Sequence, residues 1–326
     1  MAGVPTAICR PTFTREQLVE YFSRLYQCKS DDGEKRLKDI ELLVISDPRE
    51  ALFILQRRHL ATFPFSNLVL HYSQHHSISL DPDVLYHKIV ERGLGGYCVE
   101  NTGLFSIVLR TLGFKFYPGG ARVSKSLVPG PANAEFHGFG HQVLIVTIDD
   151  VKYMVDVGFG PQGPTQPLLL KEGQPVLPGV VEMSLVRKNL SINTDPDQRP
   201  WLYRFRKDSG SEWVMAYCFY EIEFTPEDYE IMNYWTSVHP ASGFTQGIIF
   251  TKFTLDEADD GIDGALMLLK NIVKRNQKGN IEILKTLKSE EERVAALKDF
   301  FNVHLLPMEI RGICGRSTEI KQVSDD

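Results

Sequence analysis

The chain has 326 residues, of which 43% are hydrophobic and 24% are charged. This composition is that of an ordinary globular protein, and it excludes a disordered chain, a collagen-like repeat and a disulfide-dense scaffold. With 36 Lys and Arg against 42 Asp and Glu, the net charge is -6. Neither nucleic acid nor a membrane is therefore an expected partner.

The first ninety residues carry helix signals. Thr14 and Gln17 have the spacing of a capping box ahead of an apolar stripe. The pairs Asp47-Pro48 and Asp81-Pro82 each combine an N-cap residue with proline at the first helical position. We therefore predict a helical domain over residues 1–92.

From about residue 114 the pattern changes to short apolar runs separated by glycine and proline, which predict β-strands in a barrel or sandwich. After residue 235 further strands are mixed with a helix that Ser289 and Glu292 cap. These changes in the spacing of apolar residues place domain borders near residues 92 and 210. The predicted strands are 116–123, 142–148, 151–157, 203–206, 213–220, 247–253, 266–272 and 281–287.

Cys98 follows the glycines of residues 93–96 and precedes a helix that Gly113 ends, so we predict that it lies at a helix N-terminus. There the helix dipole and free N–H groups favour the reactive thiolate. The alternative is an inert, buried cysteine. The five cysteines are spread along the chain without a C-x-x-C pair, so we expect no zinc site and no disulfide framework.

A second set of polar residues lies in a predicted hairpin. Two β-rich runs flank Asp149-Asp150, and pairing of Ile148 with Val151 would make His141 and Asp156 diagonal neighbours on one face. A carboxylate there can orient the imidazole of a Cys-His-Asp system with Cys98. The alternatives are a solvated polar pair, or His137 as the base.

These residues leave the reaction open, because acyl transfer, proteolysis and transglutamination all use a Cys-His-Asp constellation. A catalytically silent binding protein is a further alternative. The other histidines are not grouped with cysteines or carboxylates at metal-ligand spacing, so no metal is expected. Residues 1–9 lack the pattern of a secretory signal, which makes the cytoplasm the expected location.

Several motifs together resemble the successive motifs of the arylamine N-acetyltransferase family, in the same order. They are FPFSNL at 63–68, Arg92 with GGYC at 95–98, GGARV at 119–123, GH at 140–141, VDVGFG at 155–160 and VHPASGF at 238–244. The resemblance implies an α+β, multi-domain fold around a cysteine-protease-like Cys-His-Asp core. Its parts would be a helical bundle (1–92), a β-barrel carrying the hairpin (93–210) and an α/β lid (211–326).

The same resemblance implies a ping-pong N-acyltransferase that detoxifies arylamines or hydrazines, with acyl-CoA as cosubstrate and no permanently bound cofactor. It places Gly158, Phe159 and Ser242 at the CoA site, and Phe65 and Phe159 in the acceptor pocket. The acyl group stays open among acetyl, propionyl and malonyl. A malonyl donor would require a cation near the acyl pocket, for which Arg122 is a candidate. The oligomeric state is not predicted.

Overall fold

The computed structural model describes residues 10–127, 129, 135–177, 181–258 and 261–321. Residues 1–9, on which the expectation of a missing secretory signal depends, lie outside this part of the chain. Among the described residues, none of the helices combines the length and the apolar character that crossing a membrane requires.

The N-terminal region is helical, as predicted, and its predicted caps are formed. The Thr14 hydroxyl accepts from the backbone N–H of Gln17 at 3.2 Å, while the Gln17 side chain accepts from the N–H of Thr14 at 2.9 Å. Asp47 and Asp81 cap the next helices. These elements are α1 (Arg15–Leu25), α2 (Ser30–Ser46), α3 (Pro48–Thr62), α4 (Pro82–Tyr86), which continues as a π-helical turn (His87–Glu91), and α5 (Cys98–Thr111).

The larger sheet has seven antiparallel strands in the order β5-β4-β3-β2-β8-β7-β6. Its two edge strands approach each other, so the sheet is a nearly closed barrel. Its core includes Val143, Tyr203 and Tyr217, all fully buried. The strands are β2 (Lys115–Ser124), β3 (Phe136–Ile148), β4 (Val151–Val155), β5 (Leu168–Leu169), β6 (Glu182–Arg187), β7 (Trp201–Arg206) and β8 (Val214–Glu223).

The smaller sheet has five antiparallel strands in the order β1-β9-β10-β11-β12. Strand β1 comes from the helical region and pairs with β9, so the sheet joins distant parts of the chain. Helix α8 (Glu290–Phe301) packs on it through Leu297 and Phe301. The strands are β1 (Phe65–Ser66), β9 (Ile249–Leu255), β10 (Ile262–Leu269), β11 (Ile272–Gln277) and β12 (Asn280–Thr286).

Not every predicted element and boundary agrees with the structure. The predicted strand 266–272 crosses a turn at Lys270, whose φ of 56° ends β10 before β11 begins. The border predicted at residue 210 falls between β7 and β8, which are hydrogen-bonded neighbours in the larger sheet, and the division into domains stays a prediction. Helix α6 (Pro226–Val238) was not predicted; the short helices α7 (Gly243–Gln246) and α9 (Pro307–Arg311) complete the fold.

Helix α5 lies at the centre of the molecule. Of its 14 residues, 11 are buried, and its apolar residues between Leu104 and Leu109 share one core with α1 to α3 and with inner residues of both sheets. Such dense packing leaves the backbone little freedom. The first residue of α5, Cys98, is therefore held on a rigid support.

Candidate active site

Cys98 is the first residue of α5, as predicted. The preceding loop reverses at Gly93 and Gly95, which have φ of +64° and +67°, values that glycine adopts without strain. A Cβ at Gly95 would stand 2.2 Å from the carbonyl oxygen of Pro64, so the loop also needs glycine for space. Cys98 is 4% exposed, and its sulfur lies 3.4 Å from the carbonyl oxygen of Gly140.

The turn that carries Cys98 is fixed by a buried carboxylate. Glu100 is fully buried, and its Oε2 accepts the backbone N–H of Tyr97 at 3.0 Å. Its Oε1 forms an ion pair with the Lys88 ammonium group, which is also buried. Burial raises the pKa of Glu100, although Lys88 opposes this effect. The pair thus joins the π-helical turn before the loop to the first turn of α5.

The His-Asp hairpin has the predicted register. Ile148 pairs with Val151 and Leu144 with Val155, around a turn in which Asp149 and Asp150 both have positive φ. Two positive φ angles are the mark of the type I′ turn that favours a tight hairpin. Strand β4 ends at Val155, two residues earlier than predicted.

The diagonal contact predicted from that register is present. The His141 Nε2 lies 2.8 Å from the Asp156 Oδ2, and each residue is only 1% exposed. Since Nε2 is bound to the carboxylate, Nδ1 is the ring nitrogen left to interact with Cys98. His137, the alternative base, is exposed to solvent.

Two neighbours determine the charge of His141. Burial alone lowers the pKa of this imidazole, but the Asp156 carboxylate and a hydrogen bond with Cys98 outweigh burial and raise the pKa to about 10. The ring is therefore held as an imidazolium at neutral pH. A cation beside a cysteine favours the thiolate form of the sulfur.

Gly158 brings the hairpin against the N-terminus of α5. Its backbone N–H donates to the Asp156 Oδ1 at 2.8 Å. A Cβ here would lie 2.6 Å from the Cys98 carbonyl oxygen and 2.7 Å from the Thr102 hydroxyl oxygen, so only glycine fits without a shift. The turn after Asp156 thus sets the spacing between the carboxylate, the imidazole and the sulfur.

Phe159 and Phe65 lie beside these three residues. The Phe159 ring packs edge-on against the His141 imidazole, with centroids 5.2 Å apart. Phe65 is 7% exposed and belongs to the same apolar cluster as Cys98. The centroids of the Phe65 and Phe244 rings are 6.0 Å apart. The predicted contacts of Phe159 and Phe65 with CoA and the acceptor stay predictions.

Ser242 and Arg122 have their own partners within the protein. The Ser242 hydroxyl donates to the carbonyl oxygen of Thr236 at 2.6 Å and caps α7, so it is already engaged within the protein. The register pairs Ala121 with His141, whereas Arg122 pairs with Cys218 and stacks on Phe139 at 4.2 Å. A register shift separates Ala121 from Arg122, and Phe139, on which Arg122 stacks, packs against the apolar cluster that contains Cys98.

Sequence reasoning missed the contribution of α6. From this helix Tyr229 and Met232 join the cluster around Cys98, and Asn233 accepts a hydrogen bond from the buried Tyr97 hydroxyl. A signal was present, because Thr225 and Asp228 form a capping box with proline between them at the first helical position.

Comparison with known proteins gives consistent matches. A family model described as N-acetyltransferase matches residues 50–310. N-malonyltransferase FDB2 of Gibberella moniliformis is 36% identical over 95% of this chain and 94% of its own. Arylamine N-acetyltransferase 1 of Homo sapiens is 29% identical over 78% of this chain and 88% of its own. The solved arylamine N-acetyltransferase of Salmonella typhimurium aligns with a TM-score of 0.72 and 25% identity, covering 92% of this chain and 98% of that one.

Proposed function

The chain belongs to the arylamine N-acetyltransferase family, and from this premise we propose that it acylates aromatic amines or hydrazines through a thioester on Cys98. It is an acyl-CoA-dependent N-acyltransferase. The observation that supports the mechanism is the placement of the His141 ring between Asp156 and Cys98. Such a line of three groups is the arrangement that activates a cysteine nucleophile.

In the first half-reaction the Cys98 thiolate attacks the carbonyl carbon of the acyl-CoA thioester. The bond between that carbon and the CoA sulfur breaks, and the CoA thiolate takes its proton from the His141 imidazolium. Backbone N–H groups at the start of α5 lack helical partners and are available to the oxyanion. Acyl-Cys98 and free CoA are the products.

In the second half-reaction the amine nitrogen attacks the carbonyl carbon of acyl-Cys98. His141, now neutral, takes a proton from the attacking nitrogen, and the Cys98 thiolate leaves. Asp156 keeps the imidazole oriented and stabilises the imidazolium that forms again. Atoms and charges balance without a metal or a resident cofactor.

Malonyl is the donor group that we propose first. The relative from Gibberella moniliformis is named an N-malonyltransferase, and a relative from Fusarium pseudograminearum with the same name is 32% identical over 93% of this chain. The arylamine N-acetyltransferases named above are less similar in sequence. Arg122 is the candidate for binding the malonyl carboxylate, because it stacks on Phe139, which packs against the cluster that contains Cys98.

For the cosubstrate contacts we propose Gly158 and Phe159 beside the thioester and Ser242 at the outer part of CoA. Phe65 and Phe159 would form walls of the acceptor pocket. The support for Gly158, Phe159 and Phe65 is their position next to Cys98 or His141. We also propose a cytoplasmic location, because acyl-CoA is available there.

The other reactions of a Cys-His-Asp system fit the molecule less well. A thiol hydrolase or a transglutaminase would attack amides, and the similarity of the chain is to N-acyltransferases. A silent binding protein would not need a buried His141–Asp156 pair beside Cys98, since removing two charged groups from water costs free energy that their attraction can fail to return.

Mass spectrometry of the intact protein tests the proposal. The protein is mixed with malonyl-CoA, acetyl-CoA or propionyl-CoA without amine, and the adduct is located by peptide mapping. We expect a malonyl adduct on Cys98 that forms fastest of the three. Equal rates with acetyl-CoA would contradict the donor assignment, and absence of every adduct would contradict the acyl-cysteine mechanism.

A further inference from the structure

Residues 242–249 form a loop around α7, the α7 loop, and a buried asparagine binds its backbone. Asn67 directly follows β1 and is fully buried. Its amide nitrogen donates to the carbonyl oxygens of Phe244 at 2.8 Å and Gly247 at 2.7 Å, while its amide oxygen accepts the N–H of Ile249 at 2.8 Å. Both amide protons of Asn67 are therefore engaged by carbonyl groups of this loop.

His71 makes a further contact with one of these carbonyl groups. It is fully buried, and its Nε2 lies 3.0 Å from the Phe244 carbonyl oxygen. Since a carbonyl oxygen only accepts, and the Asn67 amide protons are already engaged, Nε2 carries the ring proton and donates it. On the other side of the ring, Nδ1 accepts from the Thr318 hydroxyl at 2.9 Å. The imidazole thus connects Thr318 to the α7 loop.

The His71 ring is neutral, as one donor and one acceptor require. Burial lowers the pKa of His71 to about 4, and the guanidinium groups of Arg316 and Arg293 support the lowering, against the hydrogen bond with Phe244. At neutral pH the ring therefore has a single proton, and the Phe244 carbonyl fixes this proton on Nε2.

Thr318 offers its hydroxyl from a fixed backbone. Its carbonyl oxygen accepts from the Arg293 Nη2 at 2.9 Å, and Arg293 is only 1% exposed. Two residues later, the N–H of Ile320 donates to the Glu290 Oε1 at 3.1 Å. Both partners lie on α8, which packs on the smaller sheet. The segment around Thr318 is therefore tied to the folded core.

The opposite side of the α7 loop reaches the surroundings of the nucleophile. The Phe244 ring packs edge-on against Tyr97, with centroids 5.5 Å apart, and its centroid lies 6.0 Å from that of Phe65. Both neighbours belong to the apolar cluster that contains Cys98. Ser242, for which we propose a contact with CoA, caps α7 in the same loop. A shift of the Phe244 backbone would move both of these parts.

We propose that His71 is a positioning residue for donor binding, which holds the α7 loop through its Nε2–H while Thr318 orients the imidazole. The proposal rests on the proposed acyl-CoA-dependent function. A loop that must be ordered when the donor binds costs conformational entropy, and this cost weakens binding. Loss of the contact should therefore raise the donor concentration needed for half-saturation more than it slows the chemical step at Cys98.

The test compares His71→Leu with His71→Gln in the full-length protein. Leucine has a similar bulk without a donor, whereas the glutamine amide can place an N–H close to the position of Nε2. Formation of acyl-Cys98 is followed without amine, as a function of the concentration of the acyl-CoA that reacts fastest. We expect the half-saturating concentration to rise about tenfold in His71→Leu and less than about threefold in His71→Gln, with limiting rates within about threefold. Equal half-saturating concentrations in the two variants would overturn the proposal.

Thr318 gives a second pair of variants at a partly exposed position, where folding is less at risk. Thr318→Val removes the hydroxyl that Nδ1 accepts from, and Thr318→Ser keeps it. We expect a rise of about threefold or more in the half-saturating concentration for Thr318→Val and no change for Thr318→Ser. Equal values for these two variants would show that the hydroxyl does not orient His71 for donor binding.

His59→Gln is the control for a loss of stability alone. His59 is also fully buried, but its partner is the Tyr21 hydroxyl in α1. This variant should lower Tm and leave the half-saturating concentration unchanged. A rise as large as in His71→Leu would make the effect a general consequence of instability. The pH profile of Cys98 alkylation should be unchanged in His71→Leu, and a shifted profile would mean that His71 acts on the nucleophile instead of on donor binding.

The same measurement separates this proposal from the proposed function. If the unmodified protein forms no acyl-Cys98 with any acyl-CoA, both are refuted. If it forms acyl-Cys98, and the variants of His71 and Thr318 do so with the same concentration dependence, acyl transfer stands and the role of His71 is wrong.

Discussion

His141 and Asp156 lie diagonally across the open end of one hairpin, with Nε2 and Oδ2 2.8 Å apart and each residue only 1% exposed. Water does not screen a pair that is buried to this extent. The carboxylate therefore acts on the imidazole with little screening, and in the proposed mechanism the charge of the imidazole supports the Cys98 thiolate.

Asp156→Asn should reduce kcat by about 10³-fold to 10⁴-fold. The amide keeps the size of the side chain but removes the charge that raises the pKa of His141 to about 10. With the His141 pKa lowered, the imidazolium is lost at a lower pH and supports the thiolate less. The pH at which iodoacetamide alkylates Cys98 should therefore rise in this variant, which a pH series of alkylation rates measures.

Asp149→Asn and Asp150→Asn are the matched controls. Both residues lie in the turn of the same hairpin with positive φ, a conformation that asparagine tolerates well. Each variant removes one negative charge from the hairpin without touching His141. Alkylation profiles that shift equally in all three variants would show that Asp156 has no special role.

Cys98→Ser should abolish transfer while the fold survives. Serine is a favourable residue near a helix N-terminus, so α5 should form as before, but its hydroxyl is not deprotonated at neutral pH. Circular dichroism checks the fold, and turnover of acyl-CoA with amine checks the activity. Cys218→Ser, at a second buried cysteine, should retain turnover. Residual activity in Cys98→Ser comparable to that of Cys218→Ser would assign the nucleophile elsewhere.

The sequence was sufficient where the determinants are local. The Asp149-Asp150 turn and the alternation of β3 and β4 specify the register, and the register places His141 beside Asp156. The glycines before Cys98 and the apolar pattern after it likewise specify a helix start. In each case a few neighbouring residues determine the conformation.

The rest of the site depends on contacts between distant residues. Pairing of Phe65 with Thr251 and the hydrogen bond from Tyr97 to Asn233 join segments more than 130 residues apart. A local sequence pattern does not determine which distant segments will be in contact. For the same reason the contacts of His71 with Phe244 and Thr318 became visible only in the folded molecule.

Gly158→Ala should disturb the position of Cys98. The added methyl group would stand 2.6 Å from the Cys98 carbonyl oxygen, and relief of the overlap should cost about 1–3 kcal/mol of stability. Gly103→Ala is the control, since its added methyl group would meet only Leu85, at 3.7 Å, and alanine favours the helix by about 0.5–1 kcal/mol. Denaturant unfolding and kcat are measured for both. Full activity in Gly158→Ala would show that the close approach of the hairpin to Cys98 is dispensable.

Glu100→Gln should lower the free energy of unfolding by about 3–5 kcal/mol, because it leaves the buried Lys88 ammonium group without its partner. The double variant Lys88→Met with Glu100→Gln removes both charges and should recover much of this loss. Denaturant unfolding of the two proteins gives the comparison. If the double variant is as unstable as Glu100→Gln, the loss of unfolding free energy comes from the changed contact with the Tyr97 N–H and not from the unpaired charge.

His59 should make the protein sensitive to acid. This histidine is fully buried, and its Nδ1 lies 2.9 Å from the Tyr21 hydroxyl oxygen. Burial lowers the pKa of His59 to about 3. Since the folded-state pKa lies below the unfolded value of about 6.5, the stability from neutral His59 is present above pH 6.5 and falls by about 1.4 kcal/mol per pH unit towards pH 3. His141, whose pKa is raised, adds no slope below pH 6.5. The urea midpoint of His59→Gln should therefore decline less between pH 6.5 and 4.5 than that of the unmodified protein. His137→Gln, at an exposed histidine, is the control. If His59→Gln declines as steeply as the unmodified protein, this account is wrong.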